Sequence, residues 1–460
     1  MQTSPGENRS ALLAADAGFP PLSGVSTLPA HLAGASDSRK DISASADIYR
    51  RPFAVAIMFV LVGLALLLFG IGTPSSMFYD EGYFVPEARV FIQGPSPSHA
   101  PVQEKPPLGK FLLSIGIRAA GDDALGWRVA GAVCGALALV AIFFWAYLLV
   151  NDVRLACLAA GLTLFNNFWF VMSRVGMMDA YLMIFLTWSL VAFTASLVLD
   201  ISVGRRRFLF CLSGVLVGLA GACKWNAIDT LAVYFLVTFA LLWIAYHPIA
   251  GADSSLSGCA NKVRRISVSV LLLGLIGAPI ASYCLAYWPV CKAIHRPFNV
   301  HELIAMHISI WHFNSTTISN PTITSRWYTW PFNLNPQRAL SYLVGNPVVA
   351  WGGLAAMVVC VRRFWKAVSF QEGLVFLLFA ANYLQWAVTP EKGIFYYYYY
   401  PSVMILGVTI AVALRSLPDR VFGVRISLLL LIAAGAYFLR CYPQMAHLEA
   451  PWDCAFGCWP

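Results

Sequence analysis

Charge is scarce in this chain of 460 residues: 12% are Asp, Glu, Lys or Arg, whereas 59% are hydrophobic. Ordinary soluble domains carry about 25% charged residues, so this composition excludes a soluble fold of such length. We therefore expect an all-α polytopic membrane protein. The excess of 31 Lys and Arg over 22 Asp and Glu does not indicate nucleic acid binding. Basic residues of membrane proteins usually occupy cytoplasmic loops.

Other signals are missing too. Residues 1–50 lack a helical apolar stripe and are rich in Ala, Ser, Gly and Pro, which predicts a disordered cytoplasmic tail. No internal repeat is visible. The cysteines are scattered, mostly within apolar segments, where they behave as small hydrophobes. Cys454 and Cys458 fall in a predicted periplasmic tail, residues 441–460, and the sequence leaves open whether they form a disulfide.

Long hydrophobic runs fill the rest of the chain. A membrane-spanning helix needs about 20 predominantly apolar residues. By this criterion there are eleven candidate spans, at residues 52–72, 127–150, 155–172, 177–199, 208–223, 227–246, 266–290, 340–361, 372–389, 396–414 and 424–440. A cytoplasmic amino terminus makes nearly every short loop on that side basic, as the orientation rule requires. The long loops 73–126 and 291–339 then lie on the outer side.

The first outer loop carries a carboxylate pair, Asp80 and Glu81, only a few residues beyond the first span. Carboxylates so close to hydrocarbon cost free energy unless they are solvated or paired, which makes them candidates for function. The alternative is a pair that caps a helix after the span.

A helix is predicted after Pro106 and Pro107, because proline is tolerated in a first helical turn. One face carries apolar residues and another carries polar ones, respectively Leu108, Phe111, Leu112, Ile115 and Ala119, and Lys110, Ser114 and Arg118. We expect this helix to lie in the membrane interface with its cations toward lipid phosphate. A plain amphipathic surface helix without a ligand is the alternative.

The second long outer loop contains three histidines, His301, His307 and His312, together with several tryptophans. The histidine spacings do not match the i, i+4 pair that places two metal ligands on one helical face. We therefore predict no metal site. The aromatic residues indicate either an interfacial belt or stacking surfaces for sugar rings.

Further polar residues cluster at the outer ends of spans. The basic ones are Arg128, Arg174, Lys224 and Lys392; Asp179, Asn226 and the five tyrosines at 396–400 accompany them. The orientation rule disfavours so many outer cations, and a phosphate-bearing ligand would explain them. Each cation alone also fits a snorkelling anchor, and Arg174 with Asp179 also fits a structural ion pair.

Glycosyl transfer from a lipid-linked phosphosugar fits these residue types. The departing lipid phosphate needs cations to stabilise its charge. The acceptor hydroxyl needs a carboxylate base within hydrogen-bond reach. A single displacement with one base predicts inversion at the anomeric carbon. The chain has no nucleotide-binding loop, which agrees with a donor embedded in the bilayer.

The ordered motifs YDEGYFVPEAR, PPLGK, GDDALGWRVAGAV, SRVGMMDAYL, ACKWNAI, HELIAMHISIW with RWYTWPF, and FYYYYYP cover about residues 75–405. Together they resemble the protein O-mannosyltransferase family, in its bacterial polyprenyl-phosphate-dependent branch of the GT-C superfamily. The resemblance implies an eleven-span GT-C transmembrane domain over residues 51–440. It also implies a mannose-like sugar donated by polyprenyl phosphate and an active site facing the periplasm.

The resemblance also assigns roles to residues of this chain. Asp80 is the base and Glu81 its functional neighbour. The cations Lys110, Arg128, Arg174, Lys224 and Lys392 are donor-phosphate ligands, and Asp179, Lys105, Asn226 and Tyr397 support them. It implies no cofactor and no metal. The expected location is the bacterial inner membrane, with membrane lipids as surroundings and an unknown oligomeric state.

Three departures from the family leave the acceptor open between protein Ser/Thr, a lipid and a glycan. Lys105 replaces the histidine that usually precedes PPLGK, tyrosine replaces a histidine in the aromatic run, and loop 291–339 is too short for a β-trefoil domain. Aminoarabinose transferases, which share an acidic motif followed by KPPL, are an alternative. A transporter or flippase of lipid-linked sugar is an alternative of another class, although transporters favour repeats and broken spans.

Overall fold

The computed structural model describes residues 52–95, 104–249, 251, 253–316, 324–332, 343–388, 395–418, 420–421 and 424–447. The predicted tail at 1–50, Lys392, and the pair Cys454 and Cys458 lie outside the described residues, so the predictions on them stay predictions.

The described residues are almost entirely helical. The α-helices are α1 (Pro52–Leu68), α2 (Glu81–Gln93), α3 (Leu108–Ala120), α4 (Ala124–Val150), α5 (Val153–Leu164), α6 (Asn167–Arg174), α7 (Met178–Val198), α8 (Val203–Gly221), α9 (Ala227–Tyr246), α10 (Ser254–Arg264), α11 (Val268–Leu272), α12 (Ala278–Leu285), α13 (Trp288–Ala293), α14 (Val300–Thr316), α15 (Pro347–Ala367), α16 (Phe370–Val388), α17 (Tyr400–Leu414) and α18 (Ile426–Met445). A π-helical turn, Leu273–Gly277, joins α11 to α12, and 3-10 turns cover Trp327–Phe332 and Tyr396–Tyr399. The two short antiparallel strands are β1 (Arg420–Val421) and β2 (Val424–Arg425).

The polytopic helical fold predicted from composition is confirmed. Among the described residues, seven helical stretches are long and apolar enough to cross a membrane: Ala124–Val150, Met178–Val198, Ala227–Tyr246, Val268–Ala293, Pro347–Ala367, Tyr396–Leu414 and Ile426–Met445. Helices α5 and α6, bent by 56°, raise the number to eight if they form one span. Each of the eleven predicted segments overlaps a helix among the described residues, although residues 424–425 form β2, and the count of eleven spans stays a prediction.

Helix α4 shows how local sequence places polar residues at one end of a long apolar helix. Asp123 caps its start, because the carboxylate accepts hydrogen bonds from the backbone N–H groups of Leu125 and Gly126. A side chain at Gly126 would collide with the backbone of Gly121, so the tight turn out of α3 requires glycine here. This turn fixes Trp127 and Arg128 in the first turn of α4.

The core lies around α4, α7 and α17. Helix α4 packs against α1, α3, α5 and α7, while α17 packs against α5, α15 and α16. Every residue of α17 is buried, which is expected of a helix surrounded by other helices. Helix α3, which contacts α2, directly precedes α4, and the residues 222–226 follow α8, which packs against α7, so the polar groups of these segments lie beside this core.

The predicted orientation of α3 is wrong in one respect. Lys110 and Ser114, which were expected to face lipid phosphate, are buried, with exposed fractions of 0% and 2%. The reason is an acidic partner: Glu87 of α2 pairs with Lys110, so this face turns inward. Arg118 alone of the three polar residues is exposed.

The aromatic residues of the second outer loop divide into two groups. Trp330, in the 3-10 turn, is buried against Trp386 and Tyr399. Trp311, on α14, is 69% exposed. A belt residue in the membrane interface would be exposed like Trp311, whereas Trp330 belongs to the core.

Candidate active site

Glu81 and Arg128 form a buried ion pair at the start of α2. The guanidinium donates from Nε to Oε1 at 2.7 Å and from Nη2 to Oε2 at 2.8 Å, a two-pronged arrangement. The same carboxylate accepts hydrogen bonds from the backbone N–H groups of Phe78 and Gly176. Glu81 therefore has four donors around it and joins α2, α4 and the residues between α6 and α7.

Arg128 has no N–H group left for a ligand. Besides its two bonds to Glu81, it donates to the backbone carbonyls of Ile71 at 3.0 Å, Pro74 at 2.8 Å and Ser76 at 3.2 Å. These five bonds use all five donors of an arginine. The predicted contact of Arg128 with donor phosphate is therefore corrected: in this geometry Arg128 fastens the segment before Asp80 to α4.

Arg174 is committed to the end of another helix. Its Nη1 donates to the backbone carbonyls of Leu67 and Phe69, which are free of intrahelical partners at the end of α1. Its guanidinium also lies 5.0 Å from the ring centre of Phe170. Asp179 pairs with Lys224, so the structural pair of Arg174 with Asp179 is wrong. Arg174 caps α1 through Nη1, and its predicted phosphate contact stays a prediction.

Lys110 is likewise paired in the interior. Its Nζ lies 2.5 Å from Oε2 of Glu87 and donates to the backbone carbonyl of Lys105 at 2.8 Å. The side chain is fully buried, and its ammonium is held by these two protein groups. The predicted phosphate contact of Lys110 is corrected to a structural one, because Lys110 anchors the EKPP segment to α2.

Asp179 finds its partner in Lys224. The Lys224 Nζ donates to Asp179 Oδ1 at 2.8 Å, and both side chains are buried. The same ammonium lies 4.3 Å from the ring centre of Tyr398 and 5.1 Å from that of Tyr397. Aromatic faces stabilise a cation here without neutralising it. Asn226 occupies the N-cap position of α9, but its side chain does not cap the helix.

Asp80 stands next to this group and does not cap α2, although it occupies the N-cap position. Its Oδ2 accepts a hydrogen bond from the Tyr397 hydroxyl at 3.2 Å. Burial raises the pKa of Asp80 from 3.8 to about 6, while the Tyr397 hydrogen bond and the charges of Lys105 and Lys224 oppose that rise. The geometry favours a reactive carboxylate over the helix-capping alternative.

Lys105 differs from the other cations of the site. Its Nζ donates to Asn314 Oδ1 on α14 at 3.1 Å, and among the described residues no carboxylate forms an ion pair with it. Burial lowers the pKa of Lys105 from 10.5 to about 8, and Lys224 lowers it further, whereas Glu104, Asp80 and Asp179 raise it. Lys105 is thus a cation held by a neutral amide within electrostatic reach of Asp80.

Sequence reasoning missed several members of the site. Glu104, beside Lys105, is buried, and burial with the nearby charge of Glu87 raises its pKa to about 7. Asn314 donates to the backbone carbonyl of Glu104 at 2.9 Å, so α14 reaches the EKPP segment. A carboxyl directly before Lys105 was a visible signal; nothing in the sequence alone pointed to Asn314. Within the described part of the chain no cluster of His, Cys, Asp and Glu is arranged to hold a metal ion.

Comparison with known proteins shows which proteins this chain is similar to. Residues 98–295 match the family model for dolichyl-phosphate-mannose-protein mannosyltransferase. The polyprenol-phosphate-mannose–protein mannosyltransferase of Mycolicibacterium smegmatis is 24% identical over 413 residues, which cover 75% of this chain and 76% of that protein. Its counterpart in Mycobacterium tuberculosis is 24% identical over 395 residues, covering 71% and 73%.

Solved structures give the class of fold. The Pmt1-Pmt2 protein O-mannosyltransferase complex of S. cerevisiae, bound to its sugar donor, includes a chain with a TM-score of 0.72 at 13% identity, covering 89% of this chain and 92% of that one. ArnT from Cupriavidus metallidurans, bound to undecaprenyl phosphate, has a TM-score of 0.56 at 15% identity, covering 85% and 73%. The protein is a polytopic membrane protein with the GT-C fold.

Within that class the resemblance drawn from the sequence is confirmed: the chain is similar to the polyprenol-phosphate-mannose–protein mannosyltransferases.

Proposed function

We propose that this protein is an inverting glycosyltransferase that moves mannose from a polyprenyl-phosphate donor to a Ser or Thr hydroxyl of a protein. The observation that carries the proposal is the partly buried Asp80, held by Tyr397 and facing Lys105 and Lys224. The matching family model and the relatives support this reaction over aminoarabinose transfer and over transport.

In the reaction, the acceptor oxygen attacks the anomeric carbon of mannose from the face opposite the phosphate. As the new C–O bond forms, the bond from the anomeric carbon to the phosphate oxygen breaks, and polyprenyl phosphate leaves with the electron pair. Asp80 takes the hydroxyl proton. Its raised pKa makes it a stronger base than an ordinary aspartate while it stays largely ionised near neutral pH.

We assign the departing phosphate to Lys105 and Lys224. Both ammonium groups influence Asp80 electrostatically, and each keeps N–H donors beyond those used in its hydrogen bonds to Asn314 and Asp179. Positioned cations stabilise charge that develops in a transition state. Lys392, which lies outside the described residues, and Asn226 remain proposed contributors.

The remaining predicted residues have supporting roles in this proposal. Glu81 and Arg128 hold the segment that ends in Asp80, while Lys110 with Glu87 holds the EKPP segment. Tyr397 orients the base, and Asp179 fixes Lys224. Arg174 caps α1.

The location is also part of the proposal. The basic loops support a cytoplasmic amino terminus, which places the site on the periplasmic side of a bacterial inner membrane and the segment 441–460 outside. Residues 1–50 would form a disordered cytoplasmic tail, and membrane lipids would surround the transmembrane domain at 51–440. Lipid and glycan acceptors should be assayed in parallel with the protein acceptor.

The test uses purified protein in lipid nanodiscs, polyprenyl phosphate carrying radiolabelled mannose, and a Ser/Thr-rich peptide. We expect mannosylated peptide from the wild type and a loss of at least about a hundredfold in Asp80→Asn, as removal of a general base costs about 10²–10⁴. Asp200→Asn, at a carboxylate whose side chain is 93% exposed, is the matched control and should keep full activity.

Transfer that survives in Asp80→Asn would contradict the assignment of the base. Transfer of aminoarabinose but not mannose, or movement of the lipid-linked sugar across vesicles without any transfer, would replace the proposed reaction by one of the two alternatives.

A further inference from the structure

Helix α14 turns one stripe of residues toward the protein. Met306 and Ile310 on this stripe are buried at 6% and 1% exposure, and His307 and Asn314 follow the same helical face at a separation of seven residues. The opposite face exposes Ile304, Ile308 and Trp311 at 54%, 62% and 69%. His307 therefore points into the protein from a helix whose outer face is apolar.

The hydrogen bonds of His307 fix its tautomer. Nδ1 lies 2.6 Å from the backbone carbonyl of Leu303. A carbonyl only accepts, so Nδ1 carries a proton, which leaves Nε2 as the ring nitrogen that can accept a hydrogen bond. The Tyr283 hydroxyl, 2.7 Å from Nε2, therefore donates to His307.

Tyr283 also forms a hydrogen bond with Trp225. The Tyr283 oxygen accepts from Trp225 Nε1 at 2.9 Å, and the Tyr283 and Tyr287 hydroxyls lie within hydrogen-bond distance of each other, also at 2.9 Å. The Trp225 and His307 rings are also nearly parallel, at 13° with centroids 6.3 Å apart. The Tyr287 hydroxyl also lies 3.4 Å from His307 Nε2, so both tyrosines and the histidine form one network, which holds the indole of Trp225 through Tyr283.

Trp225 directly follows Lys224 in the segment 222–226 that joins α8 to α9. The backbone carbonyl of Ala222 in this segment accepts from the N–H of Leu108 at 3.0 Å, which ties its beginning to α3. The indole of Trp225 ties its other half to α12 and α14. The backbone from which the Lys224 side chain extends is thus held from two sides, and Asp179 holds the ammonium itself.

We propose that His307 is a positioning residue of this site: through Tyr283 and Trp225 it holds Lys224 where the departing phosphate requires a cation. The inference rests on the proposed function for the role of Lys224. It gives a task to a histidine for which neither a metal nor the reaction itself accounts.

The first test measures transfer by two variants of His307. His307→Phe keeps a ring but removes the acceptor for Tyr283, whereas the side-chain oxygen of His307→Gln accepts in place of Nε2. We expect His307→Phe to lower kcat about tenfold with little change in the KM for the donor, since small misplacements of a charged group cost rate. His307→Gln should keep most of the wild-type kcat. His312→Phe, at an exposed position of the same helix, is the control and should behave as wild type.

A second set of variants asks whether His307 acts through Lys224. In a Lys224→Ala background, His307→Phe should cause no further loss, because the group it positions is already gone. Independent, multiplicative losses in the double variant would mean that His307 acts elsewhere, and would overturn the proposal.

Hydrogen–deuterium exchange of residues 222–226 provides a readout that needs no turnover. His307→Phe should speed exchange in this segment, while His307→Gln and His312→Phe leave it at the wild-type rate. Unchanged exchange in His307→Phe would overturn the positioning inference even in an active enzyme. Faster exchange in a protein that transfers no mannose would retain the structural link and refute the proposed reaction instead.

Discussion

Tyr397 donates its hydroxyl proton to Asp80 across a sequence separation of 317 residues, at an oxygen–oxygen distance of 3.2 Å. The bond joins the last stretch before α17 to the first turn of α2. It stabilises the ionised carboxylate against burial, and it orients the oxygen that is to receive the acceptor proton. The base and the core helix bundle are thereby parts of one unit.

Loss of the Tyr397 hydroxyl should make the carboxyl group of Asp80 harder to ionise. In Tyr397→Phe, the hydrogen bond that lowers the pKa of Asp80 is gone, so this pKa should rise above about 6. We expect lower transfer at neutral pH and partial recovery at higher pH, measured as kcat/KM against pH. Tyr399→Phe is the control, because the Tyr399 hydroxyl has no hydrogen-bond partner among the described residues. An unshifted acid limb in Tyr397→Phe would contradict the role of this bond.

The wild-type pH profile should be bell-shaped. Asp80 acts as a base only when ionised, so activity should rise as pH increases through about 6. Lys105 carries its charge only below its pKa, so activity should fall as pH increases through about 8. The measurement is kcat/KM for mannosyl transfer between pH 5 and pH 9. In Lys105→Arg, whose guanidinium stays charged, the alkaline limb should move to higher pH. An alkaline limb that stays in place would assign it to another group.

Two lysines of the PPLGK region should behave in opposite ways. Lys105→Ala should weaken binding of labelled polyprenyl phosphate about tenfold and leave the yield of folded protein unchanged, because Lys105 has a neutral partner. Lys110→Ala should lower the yield and the thermal stability, because it leaves Glu87 buried without its cation. Equal losses of affinity in the two variants, with both proteins stable, would contradict the structural role of Lys110. They would support the phosphate contact predicted for it from the sequence.

Removal of Arg128 should first destabilise the protein. Breaking a buried pair costs about 3–5 kcal/mol, since a charge is left in the interior, and three backbone carbonyls lose their donor as well. We expect Arg128→Ala to lower the unfolding temperature strongly. Arg89→Ala, which breaks the more exposed pair with Asp122, should change it little. A stable Arg128→Ala protein with weak donor binding would support a phosphate contact and contradict the clamp.

The helices were predictable because each depends on its own sequence. Apolar runs and caps such as Asp123 define helices without knowledge of the rest of the chain. The conjunction of Asp80 with a set of cations was predictable as well, since all of them flank predicted spans on the side that the orientation rule assigns as outer. A sequence shows in this way which residues share one end of a bundle.

The partners were not predictable, because pairing depends on distances between helices. Lys224 finds Asp179 at a separation of 45 residues, and Lys110 turns inward to Glu87, a glutamate that looked ordinary in sequence. Arg128 donates hydrogen bonds to three backbone carbonyls, and no side-chain pattern in the sequence predicts such bonds. The sequence assigns Lys105 only a supporting role, yet its partner is the neutral amide of Asn314, so no carboxylate pairs with its charge among the described residues.

The hydrogen bonding of Arg128, which uses all five of its N–H donors, has a consequence for the rate of the proposed reaction. All five N–H donors of Arg128 are taken and Glu81 is fully buried, so the segment before Asp80 is tied to α4 without a ligand. In the proposed reaction, the electrostatic field around the anomeric carbon would then be in place before the donor binds, and little reorganisation energy would remain to be supplied during the displacement. Turnover in such an enzyme would be governed by the entry and exit of its lipid rather than by any closing movement around the base.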